Sequence, residues 1–328
     1  MPFLWVGCAV AAVICIVLSI AYYTYRVAFH SPKNRKENIY DIPQEEQYEK
    51  GRAVMIAVID EMAALPFEEV RITSFDGLTL FGRYYHIADG APLEIQFHGW
   101  RGTAYRDFCG GHKLARKVGH NTLVVDQRAH GKSEGTTISF GIKERKDCVS
   151  WVSYAVERFG GQTPIYLVGV SMGAATVLMA SGLNLPDCVK GVIADSPFSS
   201  PAEIIKKVCK DMGFPPKLAF PFIRLGAKVF GGFSLVETTV TEEVKTAKIP
   251  ALIIHGEEDR FVPCAMSEEI FHAYGGQKRR VTFVDAGHGI SYIEDPKKYE
   301  RVVAEFLIEL GGEKDNPLLQ ALREGREI

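Results

Sequence analysis

No two of the seven cysteines, Cys8, Cys15, Cys109, Cys148, Cys188, Cys209 and Cys264, have CxxC spacing. An odd, scattered set gives no disulfide framework, and such thiols serve mostly as small buried hydrophobes. An excess of one charge is missing too. The chain has 38 Lys and Arg against 40 Asp and Glu, a formal net charge of −2, and no long basic block. Nothing therefore points to a nucleic-acid partner. His30, His86, His112, His120 and His272 lack metal-ligand spacing. The glycine pairs Gly110-Gly111, Gly160-Gly161 and Gly275-Gly276 read as turns, with no phosphate-binding loop among them. No cofactor and no metal are expected. Internal repeats and low-complexity tracts are also lacking. The 328 residues, 47% hydrophobic and 24% charged, suit an ordinary globular protein with ample core.

Charged side chains are absent from the first 25 residues, and Phe3 to Tyr22 is rich in Val, Ile, Leu and Ala. As a helix, Phe3 to Tyr25 would rise about 35 Å, enough for a hydrocarbon core of about 30 Å. Tyr22, Tyr23 and Tyr25 stand where interfacial aromatics stand. A cleaved signal peptide would want a basic start and an Ala-x-Ala-like exit, and neither is present. The reading is an uncleaved single-pass membrane anchor with its flank over 1–30. Arg26, Lys33, Arg35 and Lys36 follow the span and no basic side chain precedes it, which places the large domain in the cytoplasm.

The stretch 31–50 is polar, carries Pro32 and Pro43, and reads as a tether. Val54, Ile56, Val58, Ile59 and Met62 then predict a helix over 51–64 packed on the domain. Glu69 to Ser74 alternates, Asp76-Gly77 is a hairpin turn, and Thr79 to Ile87 returns as a strand. From Leu93 onward short apolar strands alternate with helical stretches. The alternation implies a mostly parallel sheet with helices on both faces, over 51–311. Between Ala194 and Ala251 the rhythm breaks. Phe214, Phe220, Phe222, Phe230 and Phe233 fall in an apolar stretch interrupted by prolines. This predicts a helical cap insertion, about 198–248, lying over the carboxyl edge of the sheet. The polar tail 312–328 is expected to fray.

Chemistry concentrates at three strand ends. Gly169-Val170-Ser171-Met172-Gly173 follows the apolar run Ile165–Val168 and opens a helix-compatible run. A strand–turn–helix this tight leaves no room beside the serine, so both flanks want glycine. A serine hydroxyl needs a base, and the base needs an orienting acid. In a parallel sheet the useful loops lie just past strand ends. Asp259 follows the strand Ala251–Ile254, and His288 follows Val281–Val284. Other groups compete. Asp195 also ends a strand, while Glu257 and Glu258 read as solvated loop charges. Asp285 is too near His288 in sequence to brace its ring. His98 and His255 read as bonded within their own loops, and His130 as a lock on the loop 126–133.

The order Ser, Asp, His is that of α/β-hydrolases. The chain resembles that superfamily of serine hydrolases, close to the S9/S33-peptidase-like and membrane-anchored bacterial esterase types. The resemblance runs in order through Asp76-Gly77-Leu78, His98-Gly99-Trp100, Asp126–Ser133, Gly169–Gly173, Asp195-Ser196-Pro197-Phe198, His255–Pro263 and Gly287-His288. It implies the α/β-hydrolase fold, with Ser171 as nucleophile, His288 as general base and Asp259 as its orienter. It makes the backbone N–H groups of Trp100 and Met172 the oxyanion hole. The expected activity is cofactor-free hydrolysis of a carboxylic ester, and the anchor and apolar insertion suggest a lipophilic acyl group, hence a small ester or lipid substrate. One alternative is a peptidase for short peptides, with Asp211, Glu237, Glu242 and Glu243 holding a substrate amine. Another is a catalytically silent, membrane-tethered binding domain.

Overall fold

Helix α1 (Pro2–Ala28) takes up the whole uncharged N-terminal run. The computed structural model describes residues 2–33 and 38–326; Arg35 and Lys36 of the basic cluster lie outside the described residues. Helix α2 (Arg52–Ala63) forms where expected, but its inward face is Met55, Val58, Ile59 and Met62. Val54 and Ile56 face outward, because a 3.6-residue period admits 55, 58, 59 and 62 as one stripe and leaves 54 and 56 beside it.

Strands β1 (Glu68–Thr73) and β2 (Thr79–Tyr85) form the hairpin, turned at Gly77 with φ 89°. The alternation follows: β3 (Leu93–Phe97), α3 (Ala104–Lys117), β4 (Asn121–Asp126), α4 (Glu144–Phe159), β5 (Ile165–Val170), α5 (Met172–Ser181) and β6 (Val189–Asp195). The insertion holds α6 (Pro201–Asp211), α7 (Pro216–Val229) and the short α8 (Val240–Glu243). The chain then resumes with β7 (Ala251–Gly256), α9 (Cys264–Ala273), β8 (Lys278–Phe283), α10 (Ser291–Glu294), α11 (Pro296–Glu309) and α12 (Pro317–Arg323).

The eight strands lie in the order β1-β2-β4-β3-β5-β6-β7-β8. β2 is antiparallel to both its neighbours, and every later pairing is parallel. Winding runs outward from β3 in both directions, so the order reverses between β3 and β5. Their carboxyl ends adjoin, with Phe97 opposite Gly169. Open α/β sheets bind ligands in the crevice at such a switch point. One core packs α4, α5 and the fully buried Trp151 on one face; the other packs α2, α3, α11 and α12 on the opposite face.

The tail differs from expectation. Residues 317–323 are helical, Leu319 and Leu322 are buried, and Glu313 is buried between His120 and Tyr166. Two leucines three positions apart and one carboxylate plug suffice to dock a segment whose composition is polar.

Candidate active site

The turn at the end of β5 requires both its glycines. A Cβ on Gly173 would lie 1.7 Å from the Phe97 carbonyl oxygen, and one on Gly169 would lie 2.3 Å from that of Gly173. The tightness comes from β3 and α5 pressing on the turn, and neither glycine needs a positive φ. Ser171 itself carries the strain, at φ 56° and ψ −116°. Its amide donates to the Asp195 carbonyl at 2.8 Å, which pins the turn to β6. A non-glycine residue in such a conformation persists only where its surroundings over-determine it.

The structure brings Ser171, His288 and Asp259 into one hydrogen-bonded line. His288 Nε2 lies 2.9 Å from Ser171 Oγ, and His288 Nδ1 lies 2.7 Å from Asp259 Oδ2. Asp259 is fixed by its other oxygen: Oδ1 accepts the amides of Phe261 at 2.9 Å and Val262 at 2.7 Å. Its Oδ2 also stands 3.2 Å from His255 Nε2, which bonds the Val262 carbonyl at 2.9 Å. Burial alone would raise the Asp259 pKa. The charge and hydrogen bond of His288, with the bond from His255, outweigh it and hold the carboxyl well below its usual range. Burial likewise works against a charged His288, but the Asp259 carboxylate prevails and raises its pKa above 6.5.

The loop after β3 crosses beside the serine: a Cβ on Gly99 would lie 3.2 Å from Ser171 Cβ. Its amides are unequally employed. Gly99 N donates to Asp107 Oδ2 at 2.7 Å, and Arg101 N donates to His130 Nε2 at 3.0 Å. Between them, the Trp100 amide has no intramolecular acceptor among the described residues, and neither has the Met172 amide at the first position of α5. Two unspent donors beside a serine at a helix N-terminus form the arrangement that stabilises a developing oxyanion.

Neutral histidines hold this loop. His98 Nε2 accepts the Gln127 amide at 3.1 Å, and His130 accepts that of Arg101. Accepting requires an unprotonated nitrogen, and burial supplies it, lowering His98 to about 4 and His130 to about 3. His130 Nδ1 meets the Arg128 carbonyl at 2.9 Å, so it locks the loop as expected. Asp195 does not reach His288. It accepts from the hydroxyls of Ser196 at 2.9 Å and Ser291 at 3.3 Å, while Ser196 Oγ accepts the Gly289 amide at 3.1 Å. Asp195 thus steadies the loop that carries His288.

A pocket of about 290 Å³ opens over Ser171 and His288. Its lining departs from expectation. Asp41, Pro43, Glu45, Gln47 and Tyr48 of the segment read as a tether form one wall, while the insertion contributes no lining residue among those described. Gln47 Oε1 accepts the His288 amide at 3.2 Å. Two of the insertion's aromatics meet the N-terminal segment instead: Phe230 the rings of Tyr22 and Tyr25 in α1, and Phe233 that of Phe29 just past it. Sequence reasoning missed Gln47, Ser196 and the Arg106–Asp107 pair. Only the last left a signal, a basic–acidic pair in the first turn of the helix after Gly99. The acidic residues weighed for a peptidase are engaged elsewhere: Glu237 and Glu243 with Arg145, Glu242 with Lys245, Asp211 with Lys207.

A family model described as alpha/beta hydrolase fold matches residues 95–219. The esterase Pf2001 of Pyrococcus furiosus superposes with a TM-score of 0.61 at 23% identity, over 76% of this chain and 94% of its own. The chain has the α/β-hydrolase fold. In sequence it is similar to the uncharacterized protein YqkD of Bacillus subtilis, 28% identical over 74% of this chain and 81% of that one. It is also similar to the lysophosphatidylserine lipase ABHD12 of Rattus norvegicus, at 24% identity over 67% of this chain and 57% of that protein, slightly over half its length.

Proposed function

We propose that the protein is a cofactor-free serine hydrolase of carboxylic esters. Ser171 attacks the ester carbonyl as His288 Nε2 takes its proton. The tetrahedral oxyanion forms toward the Trp100 and Met172 amides. His288 then protonates the leaving alcohol, and the acyl-enzyme remains. A water activated by the same histidine releases the acid and regenerates Ser171. Asp259 keeps Nδ1 protonated, so Nε2 faces the serine as a base, and stabilises the imidazolium. The observation that carries this reading is the line Asp259–His288–Ser171, at 2.7 and 2.9 Å, beside two unspent amides.

A lipophilic acyl group is supported by Met55, Val170, Phe261 and Ile290 in the pocket wall and by the apolar helix nearby. α1 is long and apolar enough to cross a membrane by length and composition. Its last turns are packed on the globular body, yet Pro2 to Ile20 alone would rise about 28 Å, close to a hydrocarbon core of about 30 Å. We place the protein as a single-pass membrane protein, with Arg26 and Lys33 on the cytoplasmic side together with the hydrolase domain. Protease protection in intact cells tests the orientation; cleavage of the domain from outside refutes it.

The test of function is a fluorophosphonate probe with a panel of aryl esters and aminoacyl amides. The full chain should be labelled at Ser171 and turn over esters in preference to amides. Ser171→Ala should abolish both. Unlabelled, folded protein, or ester turnover undiminished in Ser171→Ala, defeats the reading.

A further inference from the structure

The last four carbonyls of a helix have no partner within it. In α1 two of these carbonyls, Val27 and Ala28, find partners on the loop that carries the proposed oxyanion donor. Trp100 Nε1 donates to the Ala28 carbonyl at 3.1 Å. Arg101 Nη2 donates to the Val27 carbonyl at 2.9 Å and to the His30 carbonyl at 3.3 Å. A guanidinium also suits the negative end of the helix dipole. Arg101 meanwhile sits at φ 49°, a conformation a non-glycine residue keeps only where it is held on several sides. Its amide is held by His130 and its side chain by α1.

The helix end is built into the globular body to match. Ala21, Tyr25 and Phe29 are buried, whereas Val6, Val10, Val13 and Ile16 are exposed. Tyr25 Oη lies 2.8 Å from Thr137 Oγ1. The Phe29 ring packs edge-on against Phe140 and Phe233, and Phe140 in turn lies against Trp100. At the crossing with α7 the backbones nearly touch: a Cβ on Gly226 would lie 2.3 Å from the Ala21 carbonyl oxygen. An anchor that served only to hold the domain near a membrane would need none of these contacts.

We propose that the docked end of α1 and the two residues after it, Ala21 through His30, are a positioning element of the oxyanion loop, acting through the side chains of Trp100 and Arg101. The proposal rests on the serine-hydrolase reading above. It makes turnover depend on how the apolar helix is seated, even for a substrate that never enters a membrane.

The experiment uses the full chain in detergent micelles with a water-soluble short-chain aryl ester. Trp100→Phe keeps the backbone amide and a ring but removes the donor to Ala28. Arg101→Ala frees the carbonyls of Val27 and His30. Gly226→Leu acts far from the loop, since its side chain cannot be housed without moving α1 off α7. Each should lower kcat by about tenfold or more, since a misplacement of about 1 Å in a catalytic group can cost about 100-fold. KM should change little, the acid limb of the pH profile should stay in place, and thermal unfolding should show each variant folded. Fluorophosphonate labelling at Ser171 should slow in step with kcat. Parent-like kcat in all three overturns the proposal. So does a loss confined to Trp100→Phe and Arg101→Ala with Gly226→Leu at parent kcat, because the loop would then not need the seated helix. A parent chain that neither labels nor turns over defeats the underlying hydrolase reading instead.

Discussion

Asp259→Asn separates orientation of the base from its mere presence. The carboxylate Oδ1 accepts two backbone amides, and Oδ2 faces His288 Nδ1 with His255 nearby. In asparagine one of these positions becomes an NH2 group. Placing it at Oδ1 would aim it at the amides of Phe261 and Val262 and leave two buried donors unpaired, at about 1–3 kcal/mol each. The NH2 therefore takes the Oδ2 position and points at His288 Nδ1. That nitrogen must then accept, its proton moves to Nε2, and Nε2–H faces Ser171 Oγ as a donor. The useful tautomer returns only with the amide turned, at about 2–6 kcal/mol. This range corresponds to a fall in kcat of about 30-fold to 25,000-fold. Loss of the negative charge that stabilised the imidazolium favours the upper end, near the 10⁴-fold or so expected of a triad with the wrong tautomer. The pH profile should move as well. In the parent the rate rises as His288 loses its proton, at a pKa above 6.5. Without the carboxylate, burial dominates and lowers that pKa, so the acid limb shifts to lower pH. Steady-state kinetics from pH 5 to 9 on parent and variant, with circular dichroism to confirm the fold, is the assay. A loss below tenfold, or an acid limb that stays put, refutes the reasoning.

Gly173→Ala should destabilise by about 4 kcal/mol or more, since the added carbon meets the backbone of β3 at 1.7 Å. Gly161→Ala, where nothing lies within 4 Å, should stay within about 0.5 kcal/mol; thermal unfolding of the pair checks both. Glu313→Ala should cost about 3–5 kcal/mol in urea unfolding, because it strips one partner from a buried, charged histidine. In the parent, burial disfavours a charged His120, but bonds from Glu313 and Glu94 outweigh it and raise its pKa to about 9. Its contribution is then fully present below pH 6.5, the unfolded value, and is lost as pH rises through about 9. Urea midpoints of the parent should fall between pH 6.5 and 9.5, and those of His120→Phe should fall less.

Ser171, Asp259 and His288 stood out in the sequence because each follows a short strand: Ser171 and Asp259 an apolar one, His288 the mixed strand β8. Topology does the rest: parallel strands deliver their carboxyl ends to one edge, so residues 117 and 29 positions apart meet within hydrogen-bond distance. Gly169 and Gly173 were legible for a related reason, since a strand–turn–helix that brings β3 and α5 together excludes a Cβ wherever the chain passes. The second partners were not. His255 is visible as a histidine before a glycine, but its contact with Asp259 depends on how the loop 256–262 folds back on itself. Gln47 reaches His288 from 241 positions away, out of a segment with no periodicity. A polar, proline-bearing stretch looks the same in sequence whether it drifts in solvent or lies across a pocket.

The insertion shows the same limit from the apolar side. Five phenylalanines within twenty residues imply surface to be covered, and that inference depends only on area. The hydrophobic effect has no direction, so the count cannot say what does the covering. Placing the insertion over the carboxyl edge of the sheet assumed that the nearest functional feature was the partner. The residues that meet Phe230 and Phe233 lie some two hundred positions upstream, in a segment whose composition already had an explanation in the membrane. A helix whose lower turns are packed and whose upper turns are bare carries two patterns in one apolar run. Gly226 is the one residue that marks the change, since only a residue without a side chain lets α7 close on the backbone at Ala21. Glycine at a helix crossing therefore carried more information about the partner than the aromatics around it. It would have become readable once a second, largely apolar helix was sought for that face.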